Sequence, residues 1–241
     1  MKKPCFITSS VGRKVIAAVS GIALMLFIVV HLGGNLTLLI PDGGATFNAY
    51  AHKLHSLGPL LWVARAGLLV FFLGHVVTAI GVRLDERRAR PESYALRASK
   101  GGPSKQTWCS RSMLVTGLVI LFFVPLHIWM FSLNQGTAHA TISYHGVEMK
   151  DVYLSVVRGF RDPLKAWGYV AVMALLGFHL RHGFWSAFQS LGALNAKYIP
   201  AAYAAGLVFA LLMAIGFLIL PLYILYYGPD PTTLRAAVAG H

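Results

Sequence analysis

Five apolar stretches, each long enough to cross a bilayer, constrain this chain more than any other feature of it. A hydrocarbon core about 30 Å thick needs about 20 mostly apolar residues in helical form, because a helix satisfies its own backbone polar groups where no water reaches them. The stretches run over about 15–40, 60–82, 112–133, 163–192 and 201–227. The first holds no Asp, Glu, Lys or Arg. It is too long for the apolar region of a signal peptide and lacks a small-residue cleavage site, so no cleavable leader is expected. Only 12% of the 241 residues are charged, against about 25% in soluble domains. The predicted fold class is all-α: one integral membrane bundle of five transmembrane helices covering residues 1–241.

The formal charge of +13 is unevenly placed. Lys2, Lys3, Arg13 and Lys14 precede the first stretch, and Arg83, Arg87, Arg88, Arg90, Arg97, Lys100, Lys105 and Arg111 lie between the second and third, against Asp85, Glu86 and Glu92. Two spans separate these clusters, so both fall on one membrane face. That is the positive-inside pattern of a multi-pass protein of the cell's cytoplasmic membrane. It predicts a cytoplasmic amino terminus and, after five crossings, a carboxyl terminus on the outer side. The same distribution argues against nucleic acid as a partner and suits anionic lipid headgroups or a soluble subunit on the cytoplasmic face. Cys5 and Cys109 are isolated, with neither the Cys-x-x-Cys-His of covalent haem nor a zinc spacing.

Ionisable groups deep in a span are costly and mark functional sites. Each of the first four spans carries one such histidine: His31, His75, His127 and His179. At about 1.5 Å rise per residue, His31 and His127 lie roughly 24 and 22 Å from the cytoplasmic ends of their outward-going spans. His75 lies roughly 10 Å from the cytoplasmic end of its inward-going span, and the basic Arg181 draws the cytoplasmic boundary of span four close to His179. The four therefore sort by depth into two pairs, His31 with His127 and His75 with His179. A single buried histidine is more often a hydrogen bonder between helices. Four that sort into two levels point instead to two non-covalent haems b, each iron clamped between facing helices of the bundle. Two histidines fourteen residues apart on one helix, the common diheme spacing, occur in none of the spans. His182 stands three residues beyond His179 on the same helix face, so spacing alone does not choose between them. Span five carries no histidine and reads as scaffold, with Tyr223, Tyr226 and Tyr227 in an interfacial belt. The 47–55 segment, with His52 and His55, suits an interfacial helix, and Pro125 is expected to kink or loosen span three near His127. In the outer loop, Glu148, Asp151 and Asp162 show no catalytic spacing.

The chain resembles the diheme cytochrome b membrane subunit of succinate:quinone oxidoreductases, which include quinol:fumarate reductases. The resemblance is carried by His31-Leu32-Gly33-Gly34-Asn35, by Arg111 through His127-Ile128-Trp129, and by His179-x-x-x-Gly183-Phe184-Trp185-Ser186. It implies five spans around two haems b, with one axial histidine from each of the first four. The family ligand stands four residues before the Gly-aromatic-aromatic run, which selects His179. Arg181, His182, Arg111 and Ser112 are then implied near haem propionates, Arg181 and His182 alternatively in a quinone pocket. The resemblance further implies a flavoprotein and an iron–sulfur subunit docked on the cytoplasmic face. This chain would pass electrons between the iron–sulfur subunit and menaquinone or ubiquinone, with no succinate or fumarate chemistry of its own. Ser9, Ser10, Arg13 and Lys14 occupy a region where relatives use a Ser and an Arg near quinone, although the spacing to Ser20-Gly21 differs. Some fumarate reductases carry a glutamate two residues before the span-four ligand; here it is Gly177, so a glutamate-based proton path is not implied. Rival readings are a b-type quinone-reactive subunit of another respiratory complex, and a non-haem transporter with histidine proton relays.

Overall fold

The computed structural model describes residues 6, 9–89, 108–133, 141–144 and 146–230. Cys5, Lys2, Lys3, Arg90, Arg97, Lys100, Lys105, His139 and His145 lie outside the described residues, as do the side chains of Cys109 and Arg111. Seven α-helices are described: α1 Ser10–Leu36, α2 Ala45–Ser56, α3 Pro59–Ala89, α4 Trp108–Ile128, α5 Val152–Phe160, α6 Pro163–Ser190 and α7 Ile199–Tyr227. A 3-10 turn, Thr37–Leu39, continues α1, and a π-helical turn, Trp129–Leu133, continues α4. The pitch change begins four residues after Pro125, whose ring and missing N–H disturb the hydrogen-bond ladder there.

Five helical segments are long and apolar enough to cross a membrane: Ser10–Leu39, Pro59–Ala89, Ser112–Leu133, Pro163–Ser190 and Ile199–Tyr227. They match the five apolar stretches of the sequence, and the architecture is an all-α membrane bundle. Large apolar side chains are turned outward along all five, among them Leu26, Val70, Phe122, Phe178 and Leu212, as expected where the surroundings are lipid. Small hydroxyl residues lie inside. Ser20, Thr78 and Thr116 are buried, and each hydroxyl donates to a carbonyl of the preceding turn: Ile16, Gly74 and Ser112 respectively. That local bond satisfies the hydroxyl without water.

The chain divides into two compact units, and several helices contribute to both. One collects Met1–Ile28, Ala64–Gly117 and Phe178–Ala210. Within it the Arg13 guanidinium of α1 donates to Asp85 of α3 at 2.7 Å. The other collects Val29–Val63, Leu118–Gly177 and Leu211–His241. It holds the extramembrane elements: α2, the antiparallel pair β1 Thr141–Tyr144 and β2 Val147–Lys150, and α5. Asn48 of α2 is buried; its amide donates to Asp151 at 3.0 Å and its carbonyl accepts from the Tyr153 amide at 2.9 Å. Asp151 also caps α5 by accepting from the Leu154 amide. The left-handed Gly44 before α2 lies so close to the Tyr153 ring that a Cβ there would collide with it. Arg161, just past α5, donates to the carbonyls of Leu225, Gly228 and Pro229, and so closes the carboxyl end of α7.

Candidate functional site

The four span histidines meet in twos. The ring centres of His31 and His127 are 5.8 Å apart with planes at 87°. Those of His75 and His179 are 6.4 Å apart with planes at 74°. The partners are the ones inferred from position along the spans. Each compact unit contains one pair, the first unit His75 with His179 and the second His31 with His127. All four rings are partly buried.

Each pair is held by neighbours that orient the rings. The His75 Nδ1 lies 3.0 Å from the Ala17 carbonyl of α1. A carbonyl only accepts, so Nδ1 carries the proton and Nε2 keeps its lone pair. The His179 Nδ1 lies 3.2 Å from the Thr116 hydroxyl of α4. That hydroxyl already donates to Ser112 and Met113 carbonyls, so it accepts from His179, which leaves Nε2 as the free donor atom. The His127 Nδ1 lies 3.2 Å from the Tyr169 hydroxyl, which donates in turn to the Met130 sulfur at 3.7 Å. For His31 both ring nitrogens stand 3.4 Å from the Asn35 amide, an arrangement that selects neither.

Glycines give the rings room. A Cβ at Gly21 would stand 3.2 Å from His75, and one at Gly117 would stand 3.5 Å from His179. Aromatic rings pack round the other pair: Phe217 beside His31 at 5.9 Å, and Phe123 stacked on His127 at 5.6 Å. Among the described residues no group of three or more His, Cys, Asp or Glu could hold a metal ion by itself. A pair of imidazoles is too few for a structural zinc site, which takes four protein ligands. Two imidazoles would suffice for an iron whose other ligands come from a porphyrin.

The remaining residues singled out in the sequence are less closely grouped. Arg181 is exposed and His182 partly buried, its ring 6.0 Å from that of Trp185. Ser112 sits in the first turns of α4 with its carbonyl bonded to Thr116; the Arg111 side chain is not among the described ones. Ser9 caps α1, its hydroxyl accepting from the Gly12 amide at 3.0 Å. Ser10 and Lys14 are exposed, and Arg13 is bound to Asp85. His52 and His55 are exposed on α2. A groove of about 680 Å³ in the second unit is lined by Leu126, Trp129, Met130, Arg158, Lys165 and Tyr169, among others.

A polytopic helical membrane protein with facing pairs of oriented histidines is the class that this geometry defines. The family model of the succinate dehydrogenase/fumarate reductase transmembrane subunit matches residues 86–220. That is more than half of the chain, and the chain belongs to this family. No curated protein and no solved structure matches it.

Proposed function

We propose that this membrane subunit holds two haems b, one between His75 and His179 and one between His31 and His127. It would pass electrons between an iron–sulfur partner at the cytoplasmic face and membrane quinone. The observation that carries this reading is the engaged Nδ1 of His75, His127 and His179. A histidine that binds metal through Nε2 characteristically donates its other ring N–H to a carbonyl or a similar acceptor. The spacing of the rings fits as well. Two imidazoles that shared one metal ion at about 2.0–2.1 Å each would have ring centres about 6 Å apart. The observed separations are 5.8 and 6.4 Å.

Bound haem would supply one-electron redox chemistry. The chain's own residues would hold the iron through the imidazoles of His75 and His179 and of His31 and His127, keep water out with apolar side chains, and set the charge around it. Arg181, His182, Ser112 and Arg111 are proposed to face propionates. The basic segment 83–111 is proposed to dock the iron–sulfur and flavoprotein subunits, which carry out the succinate or fumarate chemistry. The family membership and that positive charge support this. For quinone, Ser9 and Arg13 already serve as a helix cap and an ion-pair partner, so the groove beside Tyr169 is the stronger candidate. Tyr169 both lines the groove and bonds His127, and the lining is mostly apolar, as a quinone ring and tail require. The proposed setting is the cytoplasmic membrane, with the amino terminus inside.

The test is a haem count and a reduced-minus-oxidised spectrum of the purified protein. Two haems per chain with low-spin bis-histidine signatures are expected. His75→Ala or His179→Ala should each remove one haem and leave the other, and His31→Ala or His127→Ala should remove the second. Loss of the same haem by His31→Ala and His75→Ala would sink the pairing.

A further inference from the structure

We infer that Trp185 and Tyr203 form a two-donor contact for a propionate of the haem held by His75 and His179. This inference rests on the haem reading above. Trp185 of α6 is 5% exposed and stacks on Tyr203 of α7, ring centres 4.8 Å apart at 17°. The Trp185 Nε1 and the Tyr203 hydroxyl are both buried, and among the described residues neither has a hydrogen-bond partner. A buried N–H or O–H without an acceptor is rare and costly, so each such group calls for an explanation. Two of them on stacked rings call for one acceptor that can take both.

An ordered water is the simplest competing acceptor, and in that case removing either donor would leave both haem potentials unmoved. The helices approach closely at this point. A Cβ at Gly206, one turn beyond Tyr203, would stand 3.3 Å from the Arg181 carbonyl and from the Phe184 ring. A polar ligand held by the polypeptide at this depth is the alternative. Indole N–H is a donor only, and the phenol also donates; the pair therefore fits an oxygen with several lone pairs, and a carboxylate meets that best. Depth selects which carboxylate. Trp185 lies six residues beyond His179, roughly 9 Å further along α6 toward its carboxyl end. The reach of a porphyrin from its iron to its propionate oxygens is of that order. His182, whose ring is 6.0 Å from Trp185, stands between the two and adds a third polar group along the same path. A quinone carbonyl offers fewer lone pairs and carries no charge, and it is the competing occupant.

The experiment uses the haem-loaded full-length protein with Trp185→Phe, Tyr203→Phe and the double variant. These changes keep the stacked rings and remove only the N–H and the O–H. Removing donors leaves the propionate charge less neutralised, which favours ferric iron. The midpoint potential of the His75/His179 haem should fall, its propionate bending band in the resonance Raman spectrum should shift, and the His31/His127 haem should not move. Unchanged potential and band would overturn the inference, as would equal shifts of both haems, which report a general loosening. A raised KM for quinone with unmoved haem potentials would overturn it in favour of the quinone carbonyl. Should Trp185→Phe fail to assemble, Tyr203→Phe carries the same readouts on a smaller change. Wild-type protein that takes up no haem would refute the underlying haem reading instead, so the two failures are distinct.

Discussion

Thr116 and Tyr169 each hold one histidine ring through a single hydroxyl, and they are the simplest places to test what that orientation contributes. Removing an acceptor behind a metal-binding histidine typically costs about 10–100-fold in affinity. Tyr169→Phe should weaken haem retention at the His31/His127 pair by that order, and Thr116→Val should do so at the His75/His179 pair. Transfer of haem to an apoglobin acceptor measures each, and the untouched pair is the control. At this scale the sequence was legible where depth alone decides. His31, His75 and His127 could be placed because each is the single histidine on its span, whereas His179 was separated from His182 only by the family resemblance. Trp185 and Tyr203 could not be read as partners, since nothing local in α6 or α7 fixes the register between them. Tyr169 was invisible for the same reason, being 42 residues from His127.

Among the elements, the extramembrane layer makes the clearest predictions. Asn48 satisfies Asp151 and the Tyr153 amide across more than a hundred residues of chain. Asn48→Ala leaves both buried and short of a partner, so the docking of α2 on α5 should weaken by about 1–3 kcal/mol. Hydrogen exchange in 45–56 and 152–160 should report it. The start of α2 responds to acid. The slight desolvation of the exposed Asp42 carboxyl opposes ionisation, but the Thr46 hydroxyl and the Thr46, Gly44 and Ala45 amides outweigh it and hold the group below its ordinary value. A depressed folded value means that the stabilisation is present above the unfolded value, about 3.9, and is lost as pH falls through the folded one. Amides at the start of 45–56 should therefore exchange faster below about pH 4, and Asp42→Asn should remove most of that dependence. Arg161→Gln should likewise free the end of α7, with faster exchange confined to the last turn. The hairpin and α5 lie in a segment that the sequence presents as an outer loop. Signals were there: alternation on either side of Gly146, whose φ is 75°, and apolar Tyr153, Leu154, Val156, Val157 and Phe160 at helical spacing. The surrounding charges masked both.

For the whole molecule, hydropathy carried nearly all the information. The five spans and the all-α class follow from stretches of apolar residues whose length the bilayer sets. The extramembrane contacts do not follow, because they pair residues from distant stretches. If the basic segment 83–111 docks a soluble partner, complexes isolated from membranes should lose that partner as ionic strength rises, while haem content stays constant. Each compact unit has its own histidine pair, so emptying one should leave the spectrum of the other in place. The paired ring centres, 5.8 and 6.4 Å apart, stand near the separation that one shared metal ion would set. If each pair shares one iron, porphyrin supplied to extracted protein should colour in two independent portions, and the portion that a His75→Ala chain still takes up should be the one that a His31→Ala chain loses.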